Sequence, residues 1–392
     1  MSKLCWCDGR LLVAVFLSVC FWTCLYVTYW DNFGCLIRQQ LDLTMPRNEE
    51  KSLSSSAGSV AIRKFIDSKD NKMLKSNYSE YATQNDSVTT VTRLDKSADS
   101  VGTRSFGASD HLHYLSFEYN SVRRLGNWLF NFAAIVGLGE KTNKIPALPR
   151  GNKLTRYFDM NITEIDVDGR FKRVAKSYTE TGWGIFNPDS RQIRNWTGDV
   201  ILKGYFQSWK YFKSIQTRVR KMLTFKEAIR AHAQSILISV QTNISNKTAG
   251  VDLIFIGVHV RRGDFVGQHR RGYTTPEAAY YLKAMKLFST ILSDKLPVFI
   301  VCSDEIAWAK SKFAGFNFTI RYMSATHGPE LDMAILSQCN HTIMSSGTFS
   351  WWAAFLANGI TVYYENFPGP GTALEERMNR QDYYFPQWIP LK

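Results

Sequence analysis

Between residues 253 and 364, short apolar runs alternate with helical stretches at a spacing that few folds can use. Residues 253–260, 297–302, 319–323, 342–344 and 360–364 read as strands, rich in β-branched residues and too short for buried helices. Between them, 276–292, 305–313, 329–338 and 349–357 read as helices. Strands and helices alternating in this way predict an α/β fold with a parallel, doubly wound sheet. In such a sheet ligands bind beyond the carboxyl ends of the strands, so residues that do chemistry should sit just after them.

The preceding stretch is less regular. Residues 113–119 read as a strand, 124–127 as a turn, 128–139 as an apolar helix and 145–148 as a strand. Residues 164–196 carry no clear period; 200–206 is strand-like, and 210–240 is largely helical in period. The ordered part thus runs over 111–392, in two halves of about 111–245 and 246–392.

Residues 11–30 (LLVAVFLSVCFWTCLYVTYW) contain no formally charged residue and match the length a helix needs to cross a bilayer. Lys3 and Arg10 precede them, partly offset by Asp8, and no small-x-small cleavage pattern closes the run. The expectation is a signal anchor with a cytosolic tail over 1–10. Residues 31–110, poor in aromatics and rich in Ser, Thr, Asn, Lys and Asp, then form a flexible lumenal stem. Cys5, Cys7, Cys20 and Cys24 fall in or beside the anchor, leaving Cys35, Cys302 and Cys339 for the lumen. That is no disulfide scaffold. Cys302 and Cys339 are either bridged or simply buried, and Cys35 could cross-link two stems into a homodimer. Sequons begin at Asn77, Asn85, Asn161, Asn195, Asn243, Asn246, Asn317 and Asn340. Asn77 and Asn85 lie in the polar stem and are the best acceptors, while Asn340 opens a buried strand and is the poorest. A net charge of +14 suits phosphate-rich partners, but a lumenal domain excludes nucleic acid.

Four segments carry chemistry. His259-Val-Arg-Arg-Gly-Asp264 ends an apolar strand, where the guanidinium groups of Arg261 and Arg262 suit an anionic ligand. The structural alternative is an ion pair between an arginine and Asp264. Ser345-Ser-Gly-Thr-Phe-Ser350 places four hydroxyls and Gly347 at a helix start, a phosphate site by its free N–H groups or a plain N-cap. Asp304 follows another strand and would accept bonds from a base or ribose, or cap the next helix. Arg124-Leu-Gly-Asn127 sits in the turn after the first strand. Trp351 and Trp352 read as packing residues.

These segments, with Gly204-Tyr-Phe-Gln-Ser-Trp-Lys-Tyr-Phe212, resemble the galactoside α-1,2-fucosyltransferases in that family's order, over nearly all of 112–392. The chain departs from the family's usual pattern at Trp128, commonly Gln, and at Ser350, often Gly. The resemblance implies a B-type glycosyltransferase of two Rossmann-like halves, with the donor in the C-terminal half and the acceptor between the halves. It implies inverting transfer of L-fucose from GDP-β-L-fucose to the 2-hydroxyl of a terminal galactose on a glycan, with no cofactor and no metal. Arg261 would then bind the β-phosphate, Ser346, Gly347, Thr348 and Phe349 would hold phosphates, and His259, Arg262 and Asp304 would contact the nucleotide. Arg124 and Asn127 would reach towards fucose or phosphate, and Asp264 is the candidate base. The anchor–stem–domain layout, with no retention tetrapeptide, implies a Golgi membrane.

Rival readings have their own residues. A metal-dependent A-type glycosyltransferase would use Asp166-Val-Asp168, but that pair follows Asn-Ile-Thr-Glu rather than a buried strand. A sulfotransferase would need a phosphate loop after the first strand, which residues 124–127 supply poorly. A silent lectin would leave the double arginine without a purpose.

Overall fold

The computed structural model describes residues 113–119, 124–248 and 250–392. The anchor and stem segments, Cys5, Cys7, Cys20, Cys24 and Cys35, and the sequons at Asn77 and Asn85 lie outside them. No helix among the described residues is long and apolar enough to cross a membrane. The described residues up to Phe385, together with Pro390–Lys392, belong to one compact unit, and Pro386–Ile389 fall outside it.

The described residues form two sheets. The first comprises β1 (Tyr114–Phe117), β2 (Ile145–Pro149), β3 (Thr163–Ile165), β4 (Lys176–Thr179) and β5 (Val200–Lys203), in the order β3-β2-β1-β5-β4. All its pairings are parallel. The second contains β6 (Leu253–Val260), β7 (Leu296–Ser303), β8 (Thr319–Tyr322), β9 (His341–Ile343), β10 (Thr361–Tyr364) and β11 (Ile389–Leu391), in the order β11-β10-β9-β6-β7-β8. Here β6 is central. It pairs in parallel with β7 from Leu253↔Leu296 to Val260↔Ser303 and with β9 from Ile256↔His341. The expected parallel α/β architecture is present, divided between two sheets.

Helix α1 (Leu125–Thr142) buries almost every residue, including Phe130, Phe132, Ile135 and Leu138. A helix apolar on all sides must be covered on all sides. The cover on one flank is the 3-10 segment Trp209–Ile215, whose Tyr211 carbonyl would lie 2.3 Å from a Cβ at Gly137. Helix α2 (Glu227–Ser245) is mostly exposed. Helices α3 (Ala278–Ile291), α4 (Ile306–Phe313), α5 (Pro329–Ser337) and α6 (Thr348–Ala357) alternate with the strands of the second sheet. Trp351 and Trp352, both fully buried on α6, do pack the helix. Their rings meet Phe130 of α1 at 4.6 and 5.1 Å and Phe212 at 6.2 and 5.8 Å. This aromatic core joins the helices of the two sheets.

A second tie comes from the residues after α6. Asp382, 6% exposed, accepts from Phe186 N at 2.8 Å and pairs with Lys210 Nζ at 2.5 Å. Ser208 Oγ donates to the Asp382 carbonyl at 2.7 Å and Trp209 Nε1 to the Gln381 carbonyl at 3.1 Å.

Some expectations need correcting. The turn expected at residues 124–127 is the start of α1, which begins at Leu125 with Arg124 at its N-cap. Gly126 and Asn127 look like turn residues, but Gly126 is small because α6 comes so close. A Cβ there would lie 2.6 Å from Thr348 Oγ1 and 2.8 Å from the Thr348 carbonyl carbon. The strand expected over 200–206 stops at Lys203, where Gly204 takes φ 145°, and Phe206 follows in the left-handed region at φ 52°. Cys302 and Cys339 are both free and buried, so they are not bridged. The Asn161, Asn195, Asn243, Asn246, Asn317 and Asn340 sequons are exposed. Asn340 Oδ1 accepts from Phe255 N at 3.0 Å, so that side chain is committed to the sheet.

Candidate active site

The carboxyl ends of β9, β6 and β7 lie side by side in the second sheet and carry three of the four segments singled out above. Arg261 is the focus. Its Nη1 pairs with Asp304 Oδ2 at 2.8 Å, its Nη2 bonds Asp264 Oδ1, and its backbone N donates to Ser345 Oγ at 3.0 Å. The side chain is 17% exposed and lies over the Phe265 ring at 5.3 Å. A guanidinium clamped between two carboxylates loses little further entropy when it meets a ligand anion.

Asp304 does not cap α4. Its Oδ1 accepts from Arg262 N at 3.0 Å and its Oδ2 holds Arg261, so it sets the shape of the double-arginine turn. Asp264 is shared: Arg124 Nη2 reaches its Oδ2 at 2.7 Å and Arg124 Nη1 its Oδ1 at 3.3 Å. The ion-pair alternative for Asp264 is therefore realised twice. The Arg124–Asp264 pair is half exposed or more on each side, and such pairs are worth at most about 1 kcal/mol. Arg262 stacks on Trp308 at 4.1 Å, with Nε 3.4 Å from Glu305 Oε2. Its Nη1 is buried with no hydrogen-bond partner among the described residues, a donor poised for an acceptor.

The turn after β9 is built differently from a plain cap. Each of its four hydroxyls is engaged inside the protein. Ser345 Oγ serves Arg261 N and accepts from Tyr281 OH at 3.0 Å, and Ser346 Oγ donates to the Thr274 carbonyl at 2.5 Å. Thr348 Oγ1 donates to Asn127 Oδ1 at 3.1 Å, and Ser350 Oγ lies 2.6 Å from His259 Nδ1. Among the described residues no side chain caps α6, so its first N–H groups are left for something else. Gly347 makes the turn possible with φ 89°, a conformation costly for any side chain. Backbone N–H groups at the positive end of a ten-residue helix, rather than hydroxyls, are what this site offers an anion.

His259 is 6% exposed and packs, tilted, against Phe349 at 4.7 Å between ring centroids. Burial pushes its pKa down to about 4, with Asp304 pulling the other way, so the ring is neutral at neutral pH. His341 is likewise pushed down to about 4 by burial. Between pH 6.5 and about 4 the unfolded chain takes up protons that these folded histidines refuse. Stability therefore falls as pH drops through that window and is level above it. Asp332, raised by burial to about 6, works in the opposite sense between about 6 and 3.8, because its folded carboxyl binds the proton first. Two histidines outweigh one carboxyl. The thermal midpoint is expected to be lower at pH 5 than at pH 7, and a level or rising midpoint would contradict two neutral buried histidines.

Asn127 and Arg124, at the start of α1, are brought to this site although they belong to the first sheet's half of the chain. Asp166 and Asp168 are not. They follow the short, partly exposed strand β3, where Asp166 Oδ1 accepts from Asp168 N at 3.0 Å in a solvated turn. Among the described residues no group of three His, Cys, Asp or Glu is placed to hold a metal ion. Gln207, which had no expected role, is part of the arrangement, its Nε2 donating to Asn127 Oδ1 at 2.9 Å, while Ser345 and Ser350, expected among the hydroxyls of a phosphate site, instead sit under Arg261 and against His259. The sequence signal for Gln207 is its place in Gly204-Tyr-Phe-Gln just past a strand, and that for the two serines is the hydroxyl-rich segment 345–350.

The family model for glycosyl transferase family 11 matches residues 99–392, and the chain belongs to that family and is a glycosyltransferase. It is 34% identical over 287 residues to galactoside alpha-(1,2)-fucosyltransferase 1 of Homo sapiens, covering 68% of this chain and 73% of that protein. It is 28% identical over 282 residues to galactoside alpha-(1,2)-fucosyltransferase 2 of Rattus norvegicus, covering 70% and 76%. Among solved structures, POFUT1 in complex with GDP-fucose aligns over 69% of this chain and 98% of its own at 12% identity. The TM-score of 0.41 is too slight a likeness to bear on fold or ligand.

Proposed function

We propose that this chain transfers L-fucose from GDP-β-L-fucose to the 2-hydroxyl of a terminal galactose on a glycan, with inversion at the anomeric carbon. The observation that carries it is Arg261, held between Asp264 and Asp304 beside the uncapped start of α6. It belongs to a chain from a family whose curated members similar to it are named galactoside alpha-1,2-fucosyltransferases. A fork of guanidinium donors and a row of backbone N–H groups suit a diphosphate that gains charge as it leaves. His259, Arg262 and Asp304 surround the nucleotide in this reading, and Ser346, Gly347, Thr348 and Phe349 line its phosphates. Arg124 and Asn127 approach from the other half, which corresponds to about 111–245, against about 246–392 for the donor half of a B-type fold.

Asp264 is a brace in this reading, since both its oxygens are engaged by guanidinium groups. A dissociative path, in which the sugar carries positive charge before the acceptor bonds, lessens the demand for a strong base. No divalent metal is required, because guanidinium and helix N–H groups take up the charge on the departing GDP. The enzyme acts on the lumenal side of the Golgi membrane, held by residues 11–30.

The full chain, solubilised in detergent, should transfer fucose from GDP-fucose to β-galactosides and keep that activity in EDTA. Transfer of another sugar, or activity abolished by chelation and restored by a divalent cation, would replace this reading with the metal-dependent one.

A further inference from the structure

Gln207 is 5% exposed, just past β5, and its partner is the side chain of Asn127. Asn127 Oδ1 accepts twice, from Gln207 Nε2 at 2.9 Å and from Thr348 Oγ1 at 3.1 Å. An amide carbonyl has two lone pairs, and both are filled. The Asn127 NH2 is left with no partner among the described residues. Thr348 is the first residue of α6, so those free donors belong to the same corner as the uncapped N–H groups. Gly126 keeps that corner tight, with Thr348 too close to allow a Cβ.

We propose that Gln207 is a positioning residue, which together with Thr348 locks the Asn127 amide so that its NH2 faces the donor diphosphate. This rests on the reading of the donor site given above. The orientation matters because an amide turned round would aim a carbonyl oxygen at an anion. Thr348 cannot fix the sense alone, since a hydroxyl donates or accepts as required. Gln207, donating through Nε2 in this structure, supplies the second acceptor-directed contact that sets it.

Gln207→Glu tests this directly. The new side chain has nearly the same shape but offers a carboxylate to Asn127, which then turns its NH2 towards that carboxylate and its carbonyl towards the ligand. GDP affinity of the full chain, solubilised in detergent, is expected to fall about tenfold or more. As the pH is lowered towards about 5 the carboxyl regains a proton and becomes a donor, so the gap from the parent chain should narrow. In an Asn127→Ala background Gln207→Glu should cost little, because the group it misdirects is gone. Should Gln207→Glu fail to fold, Gln207→Met serves in its place: a loss of GDP affinity in the parent chain, absent in Asn127→Ala, supports the proposal. Unchanged GDP affinity in Gln207→Glu, or an equal loss in both backgrounds, overturns it. A parent chain that fails to bind GDP removes the donor-site reading itself, and this proposal with it.

Discussion

Replacing Arg261 with alanine is expected to cut fucose transfer by about a hundredfold or more while the protein stays folded. Arg261 supplies the central charge at the strand ends, and two carboxylates aim it. Aiming costs nothing at the moment of reaction, which is why a fixed cation outperforms solvent in stabilising a leaving diphosphate. Arg261→Lys keeps the charge but not the fork, and cannot hold Asp264 and Asp304 at once with the same geometry. It should therefore recover only part of the activity. The fold should survive in both variants, since Asp264 keeps Arg124 and Asp304 keeps the backbone N of Arg262. Turnover at saturating substrates, read beside the thermal midpoint, checks this. Arg261→Ala with more than a tenth of the parent turnover would sink the assignment.

Trp351→Ala is expected to be the most damaging single core truncation, at about 3–5 kcal/mol. The indole is fully buried, and its Nε1 donates to the Tyr383 carbonyl at 2.8 Å. It lies against Phe130 at 4.6 Å, Phe385 at 5.4 Å and Phe355 at 5.6 Å. These rings come from both halves of the chain, so a void here has no single flexible neighbour to collapse into it. The buried Tyr383 carbonyl also loses a donor. A fall in thermal midpoint on the order of 10 °C follows from the usual entropy of unfolding for a domain of this size. Trp351→Phe, which keeps most of the ring area, should fall less. A shift of a degree or two for the alanine variant would show the site to be loosely packed.

Much of this fold is legible in the residues because its second sheet is made of central strands. Residues 253–260 and 297–302 announce themselves as unbroken apolar runs since β6 and β7 are buried on both faces. The first sheet is quieter. β4 buries only Tyr178 and β3 buries nothing fully, so residues 164–196 show no period to follow. The site divides in the same way. Arg261, Arg262, Asp304 and the turn at 345–348 stand at strand ends, where an α/β sheet exposes its ligands, and can be found by position alone. Their mutual bracing cannot. Nothing in a linear reading says that Ser345 will sit under Arg261, or that four hydroxyls will turn inward and leave the backbone for the anion. Gly126 shows how local propensity misleads: it resembles a turn residue because its reason for being small lies far along the chain, at Thr348.

The contacts of Asp382 and Gln381 with Phe186, Ser208, Trp209 and Lys210 have a consequence for how the protein is made. Residues 186–210 leave the ribosome long before residues 381–382 exist, and until then Lys210 and the Phe186 N–H have no carboxylate to meet. The first half can form its own sheet early, yet the corner beside Gln207 is closed only by residues synthesised much later. A chain interrupted just before Gln381 would contain Arg261 and the α6 turn, yet lack both the residues that hold Phe186, Ser208, Trp209 and Lys210 and the Tyr383 and Phe385 on which Trp351 packs.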